Sequence, residues 1–358
     1  MVLISLKPTG RMRAVLVCAA ALAVTAAWAA PVGSALDRPA LASPQAVQAA
    51  QAVLLGAALA GPRVVAVGER GIVLLSDDAA GHWRQAQVPT SVTLTAVRFV
   101  DAQHGWAVGH SGVVLATVDG GETWVRQLDG KQAAQLVLDE AQARGDAAAV
   151  RSAQRLVADG ADKPLLDLHF FGAQRGIVVG AYNLAFITED GGRSWKPWGQ
   201  QLDNPKALHL YAVRVLGSTV VIAGEQGLVL QSQDAGQHFT RLTTPYPGSF
   251  FTVELPASGE IVLAGLRGNA WRSTDAGATW SALAAAAPIS FTASALRAGQ
   301  GAVLANQGGQ LFALRDGVLS LLPGAALPSP AGVLPLADGR LLALTVRGAI
   351  AVAAGAAP

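Results

Sequence analysis

Five carboxylates recur in one setting along the chain. Asp78, Asp119, Asp190, Asp234 and Asp275 each follow a Ser or Thr by two residues, precede two small residues, and lead to an aromatic: Trp83, Trp124, Trp195, Phe239 and Trp280. The phrase is clearest in TVDGGETW at 117–124. An aspartate so placed could bind a metal ion, form half of a catalytic pair, or clasp a turn. A hard cation needs several oxygen ligands converging on one point, and a glycosidase pair needs two carboxyls within roughly 5–9.5 Å. Carboxylates that occur once per repeat are spread over the molecule and meet neither condition. The turn reading has a mechanism: Asp accepts backbone N–H bonds, the small residues take turn dihedrals, and the Ser or Thr adds a local bond. The aromatic then returns the chain to a sheet and packs between neighbours.

The remaining residues with catalytic potential do not assemble into a site. A sialidase-type centre wants clustered arginines, a Tyr–Glu nucleophile pair and an acid. Tyr182, Tyr211 and Tyr246 are the tyrosines available, and Glu225 and Glu254 are carboxylates that nothing in the sequence couples to them. Arg98 and Arg214 stand at similar places in AVRFV and AVRVL, where strand alternation could turn them toward or away from a central axis. No catalytic residue, metal ligand set or cofactor site is assigned, and glycosidase activity stands as the alternative reading.

The aromatics that end the phrases are spaced by 41, 71, 44 and 41 residues, the longest interval being one period plus an insertion. A period near 40 made of short strands predicts a propeller blade. In LTAVRFVDAQHGWAVGHSGVVLATVDGGETWVRQ, four strand-like runs are separated by the turns DAQHG, HSG and DGG. Glycine closes the second of these turns at Gly71, Gly112, Gly227, Gly268, Gly309 and Gly348, and Asn183 stands in that place in the third unit. Asparagine is the best replacement for glycine at positive φ. Counting these turns gives an all-β, seven-bladed propeller of four-stranded antiparallel blades over residues 51–353. The last unit runs out of pattern after three strands, so a segment within 30–50 is expected to supply its fourth, although SPQAVQAAQAV is equally compatible with a helix. Residues 131–160 interrupt the pattern with a run rich in Ala, Leu, Gln, Glu and Arg, which predicts two short helices broken at Gly145-Asp146.

Composition narrows the class. Charged residues make up only 14% of the chain and glycine numbers 40 of 358, which excludes a disordered or nucleic-acid-coating protein. Lys7, Arg11 and Arg13 precede the run AVLVCAAALAVTAA and the small-residue site ending at Ala29, the pattern of a cleaved secretory leader over 1–29. The leader holds three of the 26 basic residues, none of the 24 acidic ones, and the single cysteine, Cys18. The remainder is near neutrality and without thiols, so its core alone must hold it. Export to a bacterial periplasm is expected, with no membrane span in the mature chain.

The coupling of this Asp box with WAVG-x-x-G, as in Trp106-Ala107-Val108-Gly109, resembles the photosystem II stability and assembly factor family over about residues 60–350. The Asp box itself is shared more widely with sialidase-like propellers. The resemblance implies a non-enzymatic scaffold that assists a membrane complex, while the long insert and the lack of an arginine-rich patch depart from photosynthetic members. A non-photosynthetic host is expected, and an accessory role beside a membrane exporter is a further alternative. The turns between second and third strands share one face and carry Glu69, Arg70, His110, Tyr182, Asn183, Glu225, Gln226 and Arg267. Their mixed charge makes them the expected contact with a protein or peptide, not a nucleic acid, for a monomeric propeller.

Overall fold

The computed structural model describes residues 38–284, 287–299 and 301–353. The expected leader and its cleavage point lie outside the described residues. Seven antiparallel sheets follow one another at 54–85, 94–128, 165–197, 210–241, 250–282, 291–321 and 332–352, and each is one blade. Six have four strands in sequence order and the seventh has three. In blade 2 the strands are Leu94–Phe99, Gly105–Gly109, Val114–Thr117 and Val125–Leu128. The fourth starts one residue after Trp124, just past the Thr123 amide that bonds Asp119.

The second strand explains the architecture. Gly105–Gly109, Gly176–Gly180, Ile261–Gly265, Ala302–Asn306 and Leu341–Thr345 are buried at every position. Side chains of a strand alternate between two faces, so continuous burial means that both faces of the sheet are covered. Seven apolar clusters do this, one at each junction between consecutive blades. One of them packs Leu54 and Leu74 of blade 1 on Leu336, Leu342 and Leu344 of blade 7, which closes the ring. Trp124 and Trp195 are buried at junctions, while Trp83, Phe239 and Trp280 are half-buried there.

The Asp boxes are turn clasps of one geometry. Thr117 Oγ1 donates to Asp119 Oδ1 at 2.7 Å, and that oxygen also accepts from Thr123 N at 3.0 Å. Thr123 Oγ1 donates to Asp119 Oδ2 at 2.6 Å, and Gly121 N donates to Thr117 Oγ1 at 3.0 Å. Ser194 and Thr279 repeat the hydroxyl contact at Asp190 and Asp275, and His82 and His238 replace it at Asp78 and Asp234. The two small residues are left-handed, with φ of 70° and 90° at Gly120 and Gly121 and of 55° and 71° at Ala79 and Ala80. The box also reaches across the junction, a feature the sequence reading missed. The carbonyl of the first small residue accepts from the preceding blade: Gly120 O from Arg63 Nη1 at 3.2 Å, Ala235 O from Arg175 Nη2 at 2.7 Å, and Ala79 O from Arg340 Nη2 at 2.8 Å. Gly191 O is reached by Gln127 Nε2 at 2.8 Å and Trp106 Nε1 at 3.3 Å.

Ring closure differs from expectation. Residues 38–51 form two 3-10 turns, Arg38–Ala40 and Ala49–Gln51, and no strand. They run from the blade 1–2 side, where Arg126 of blade 2 donates to Pro39 O, along residues 85–91, where Ser43 N meets Val88 O at 2.9 Å. Gln51 ends beside the Gly348 turn of blade 7. The segment therefore approaches blade 7 only at its last residues, crossing the end of the barrel-like ring instead of adding to the outer edge of Gly348–Val352. Apolar packing and the Arg340–Ala79 bond make the closure. No helix among the described residues is long and apolar enough to cross a membrane.

The insert forms as two helices, α1 Gly130–Arg144 and α2 Ala147–Asp159. Asp129 caps α1 in a reciprocal box with Gln132, Gly145 ends it at φ 69°, and Asp146 caps α2. Ala133, Leu136, Val137 and Leu156 seat the pair on the blade 2–3 core.

Replacing Asp119 with Ala should lower stability by about 0.5–2 kcal/mol in denaturant unfolding, as for other side-chain caps; an unchanged midpoint would contradict the clasp assignment. The hydrogen bonds from Ser194 at Asp190 and from Thr279 at Asp275 hold both carboxyls near pKa about 2, against an ordinary 3.8. A depressed folded-state pKa contributes stability above the unfolded value and loses it on acidification. The Tm should therefore fall as pH drops from 3.8 toward 2, and Asp275→Asn should flatten that dependence.

Candidate functional site

In a sequential meander the second-to-third-strand turns and the blade-to-blade connections share one end, and the Asp boxes occupy the other. The insert and the segment 38–51 lie on the turn face for this reason. Six of the seven turns are fastened at the base: His110 N donates to Thr93 O at 2.8 Å, and Glu69, Ala181, Glu225, Leu266 and Gln307 make the same bond to the residue before their own first strand. Both glycines of WAVG-x-x-G have a cause here. A Cβ on Gly109 would lie 2.3 Å from Thr93 O, and Gly112, at φ 64°, packs on the Cα of Gly130 where the insert begins.

The candidate face residues divide into two groups. Arg70, Tyr182, Gln226 and Arg267 are exposed and sit at φ of 54°, 55°, 52° and 57°, as does Ser111 beside exposed His110. The other three are drawn into the frame. Glu69 Oε1 accepts from Val53 N at 3.1 Å and Glu225 Oε2 from His209 N at 3.2 Å, each pinning the start of an inner strand. Asn183 takes φ 62°, as a glycine substitute should, and its amide bonds Gly199 O and Asn204 at 3.0 Å.

Beside Tyr182 the insert and blade 3 enclose a cavity of about 470 Å3. Tyr182 is 57% exposed, and its ring stands edge-on to His209 with centroids 4.6 Å apart and has Lys163 Nζ 5.4 Å from its centre.

The channel holds another collection of charge, from four blades, joined by a hydroxyl from a fifth. Arg98 Nη2 of blade 2 is 3.3 Å from Asp167 Oδ1 of blade 3, whose Oδ2 is 2.6 Å from Arg214 Nη1 of blade 4. Arg214 Nε lies 3.4 Å from Glu254 Oε1 of blade 5, which accepts from Ser294 Oγ of blade 6 at 2.7 Å. Ser294 also bonds Thr252. Burial would raise the Asp167 pKa, but Arg214, Arg98 and the amides of Val213 and Leu168 outweigh it and hold the carboxyl below its ordinary value. Burial and the neighbouring Arg98 push His169 down to about 4, so its ring is neutral at pH 7.

This geometry gives no support to the sialidase-type reading. Glu254 is engaged by Arg214 and Ser294, and Asp167 by two guanidiniums and two amides. Burial and the charge of Glu225 raise the Tyr211 phenol pKa, the opposite of nucleophile activation, and Tyr246 Oη donates to Leu266 O at 3.2 Å. Among the described residues no three His, Cys, Asp or Glu side chains are grouped to hold a metal ion.

A sequence model of the family described as photosynthesis system II assembly factor YCF48 matches residues 75–153 and 146–315, more than half of the chain. The chain belongs to the YCF48 family. The photosystem II assembly lipoprotein Ycf48 of Synechococcus sp. (strain CC9902) is 32% identical over 90 residues, 25% of this chain and 27% of that protein. The chloroplastic photosystem II stability/assembly factor HCF136 of Cyanidioschyzon merolae is 50% identical over 44 residues, 12% of this chain and 10% of that one. These alignments span little more than a quarter of the relatives' length at most. A solved structure of YCF48 bound to D1 peptide superposes with a TM-score of 0.64 at 15% identity, covering 88% of this chain and 99% of that one; at that identity the likeness is one of fold.

Within this YCF48-family ring, the sequence reading had marked Arg98 and Arg214 and missed their counter-ions. The available signal was the first strand of blade 3, LLDLHF, whose Asp167 stands where the first strands of blades 2, 4 and 6 carry Ala96, Ala212 and Ala293. Removing Asp167 leaves two guanidiniums facing each other in a confined channel. Asp167→Ala should cost roughly 3–5 kcal/mol in denaturant unfolding, and a loss below about 1 kcal/mol would mean that channel water replaces the carboxylate.

Proposed function

We propose that this YCF48-family propeller is an exported, non-catalytic scaffold that holds an extended segment of a membrane-complex subunit through its turn-and-insert face. The observation that carries this reading is the concentration of accessible features on one end of the ring. Exposed Arg70, His110, Tyr182, Gln226 and Arg267, the helical insert and the 470 Å3 cavity all lie there. The channel carboxylates, in contrast, are consumed by arginines and hydroxyls. A rigid ring with variable side chains at turn tips suits recognition without turnover.

Export rests on the basic and apolar leader pattern of residues 1–29, and the assembly role on the family. The D1 peptide belongs to the relative's complex; for this chain the partner class is a peptide segment of a membrane protein, and its host complex need not be photosynthetic.

Affinity capture from a gently solubilised envelope extract, with intact protein beside a variant lacking residues 131–160, tests the reading. Intact protein should retain a membrane-complex subunit, and the variant should retain several-fold less, with a cooperative thermal transition showing that its ring is still folded. Capture of no subunit by the intact protein, together with turnover of a sialoside or aryl glycoside, would overturn the scaffold.

A further inference from the structure

The cavity between the insert and blade 3 has a composition that specifies an occupant. Val137, Ala141, Ala153 and Leu156 of the helices face Leu184 and Pro197 of the blade, so its body is apolar. Five charged side chains stand around it, and four of them pair: Arg144 Nη1 lies 3.5 Å from Glu140 Oε1, and Lys163 Nζ lies 3.2 Å from Asp159 Oδ2. Arg155 on α2 is the fifth. It is exposed, and no acceptor among the described residues meets its guanidinium.

The chemistry favours a peptide segment over other classes of ligand. A small-molecule site would present several convergent unpaired polar groups, and here four of the five charged side chains are already paired with one another. A nucleic acid would need a row of cations to meet its phosphates, whereas the edge carries a net charge of one. A volume of about 470 Å3 lies within the range that bound ligand groups fill. A guanidinium with free donors takes a carboxylate through two parallel N–H bonds.

The geometry points to a binding site for a partner's extended segment with alkyl side chains seated between α2 and blade 3 and a carboxylate on Arg155. This inference deepens the scaffold reading and rests on it. Tyr182 forms one lip of the site, steadied by His209 and Lys163. Ser152, one helical turn before Arg155 and exposed, forms part of the other.

The probe is an acetylated Ala-Leu-Val-Ala-Leu peptide with a free terminal carboxylate, compared with its terminal amide, titrated calorimetrically into the intact protein. The carboxylate form should bind saturably, and the amide about five- to tenfold more weakly. Arg155→Ala should bring the carboxylate form down to the amide's affinity and leave the amide unchanged. Ser152→Trp, which grows a ring into the cavity from an exposed position, should abolish binding of both, with Tm confirming that each variant is folded. Absence of saturable binding, equal affinity for the two forms, or undiminished binding to Ser152→Trp would overturn the inference. Concentration-dependent dimerisation that Ser152→Trp removes would assign the cavity to a second copy and overturn it as well. If Ser152→Trp still captures the membrane subunit as intact protein does, the cavity inference fails and the scaffold stands. If the peptide binds as described and no subunit is captured, the scaffold fails instead.

Discussion

A small sheet that is apolar on both faces cannot be stable alone, and this constraint shapes the molecule. Five of the seven second strands are buried at every position, and the other two at all but their first, because a neighbouring blade covers either side. The requirement propagates from blade to blade until the last meets the first, and the Leu54, Leu74, Leu342 and Leu344 cluster is where it ends. No disulfide is needed, since every blade shares its core with two others. The Asp box belongs to the same logic. At the outer rim the chain must reverse with little sheet left to bond it, and a carboxylate with a hydroxyl supplies the missing acceptors. The left-handed small residues then aim a carbonyl across the junction, where Arg63, Arg175 or Arg340 of the preceding blade finds it.

The channel obeys a different rule. Near the axis the blades approach most closely, and charged residues placed there must find partners. Arg98, Asp167, Arg214, Glu254 and Ser294 come from five consecutive blades and satisfy one another in a single file. A removed partner leaves a confined charge behind, so the file ties the ring at its centre as the boxes tie it at its rim. It also leaves the channel acids engaged by arginines and a hydroxyl, not free for proton transfer.

Much of this was legible in the residues because repetition exposes local chemistry. The 41-residue spacing gave the blade, the two-residue interval from Ser or Thr to Asp gave the clasp, and Asn183 in a glycine's place gave its own positive φ. The insert broke where Gly145 and Asp146 said it would. What stayed hidden depends on the relation between distant parts. Residues 38–51 carried strand-like and helix-like signals alike, and their path was set by contacts with Val88 and Arg126 that no local pattern encodes. Glu69 and Glu225 looked like free surface charge, yet each is bound to the amide preceding an inner strand. Asp167 was unremarked because its partners come from strands 69 and 47 residues away.

The turn tips carry one more implication. Arg70, Ser111, Tyr182, Gln226 and Arg267 all occupy left-handed backbone, which disfavours any side chain relative to glycine by roughly 1–2 kcal/mol. That penalty comes from the Cβ and depends little on what lies beyond it. Exchanging arginine for glutamine or tyrosine at a tip therefore leaves stability almost level, while exchanging any of them for glycine would raise it. Such positions let a lineage exchange one unbranched side chain for another at near-constant thermal tolerance, and they give a protein engineer five places where residues other than proline and the β-branched ones can be varied without first stabilising the scaffold.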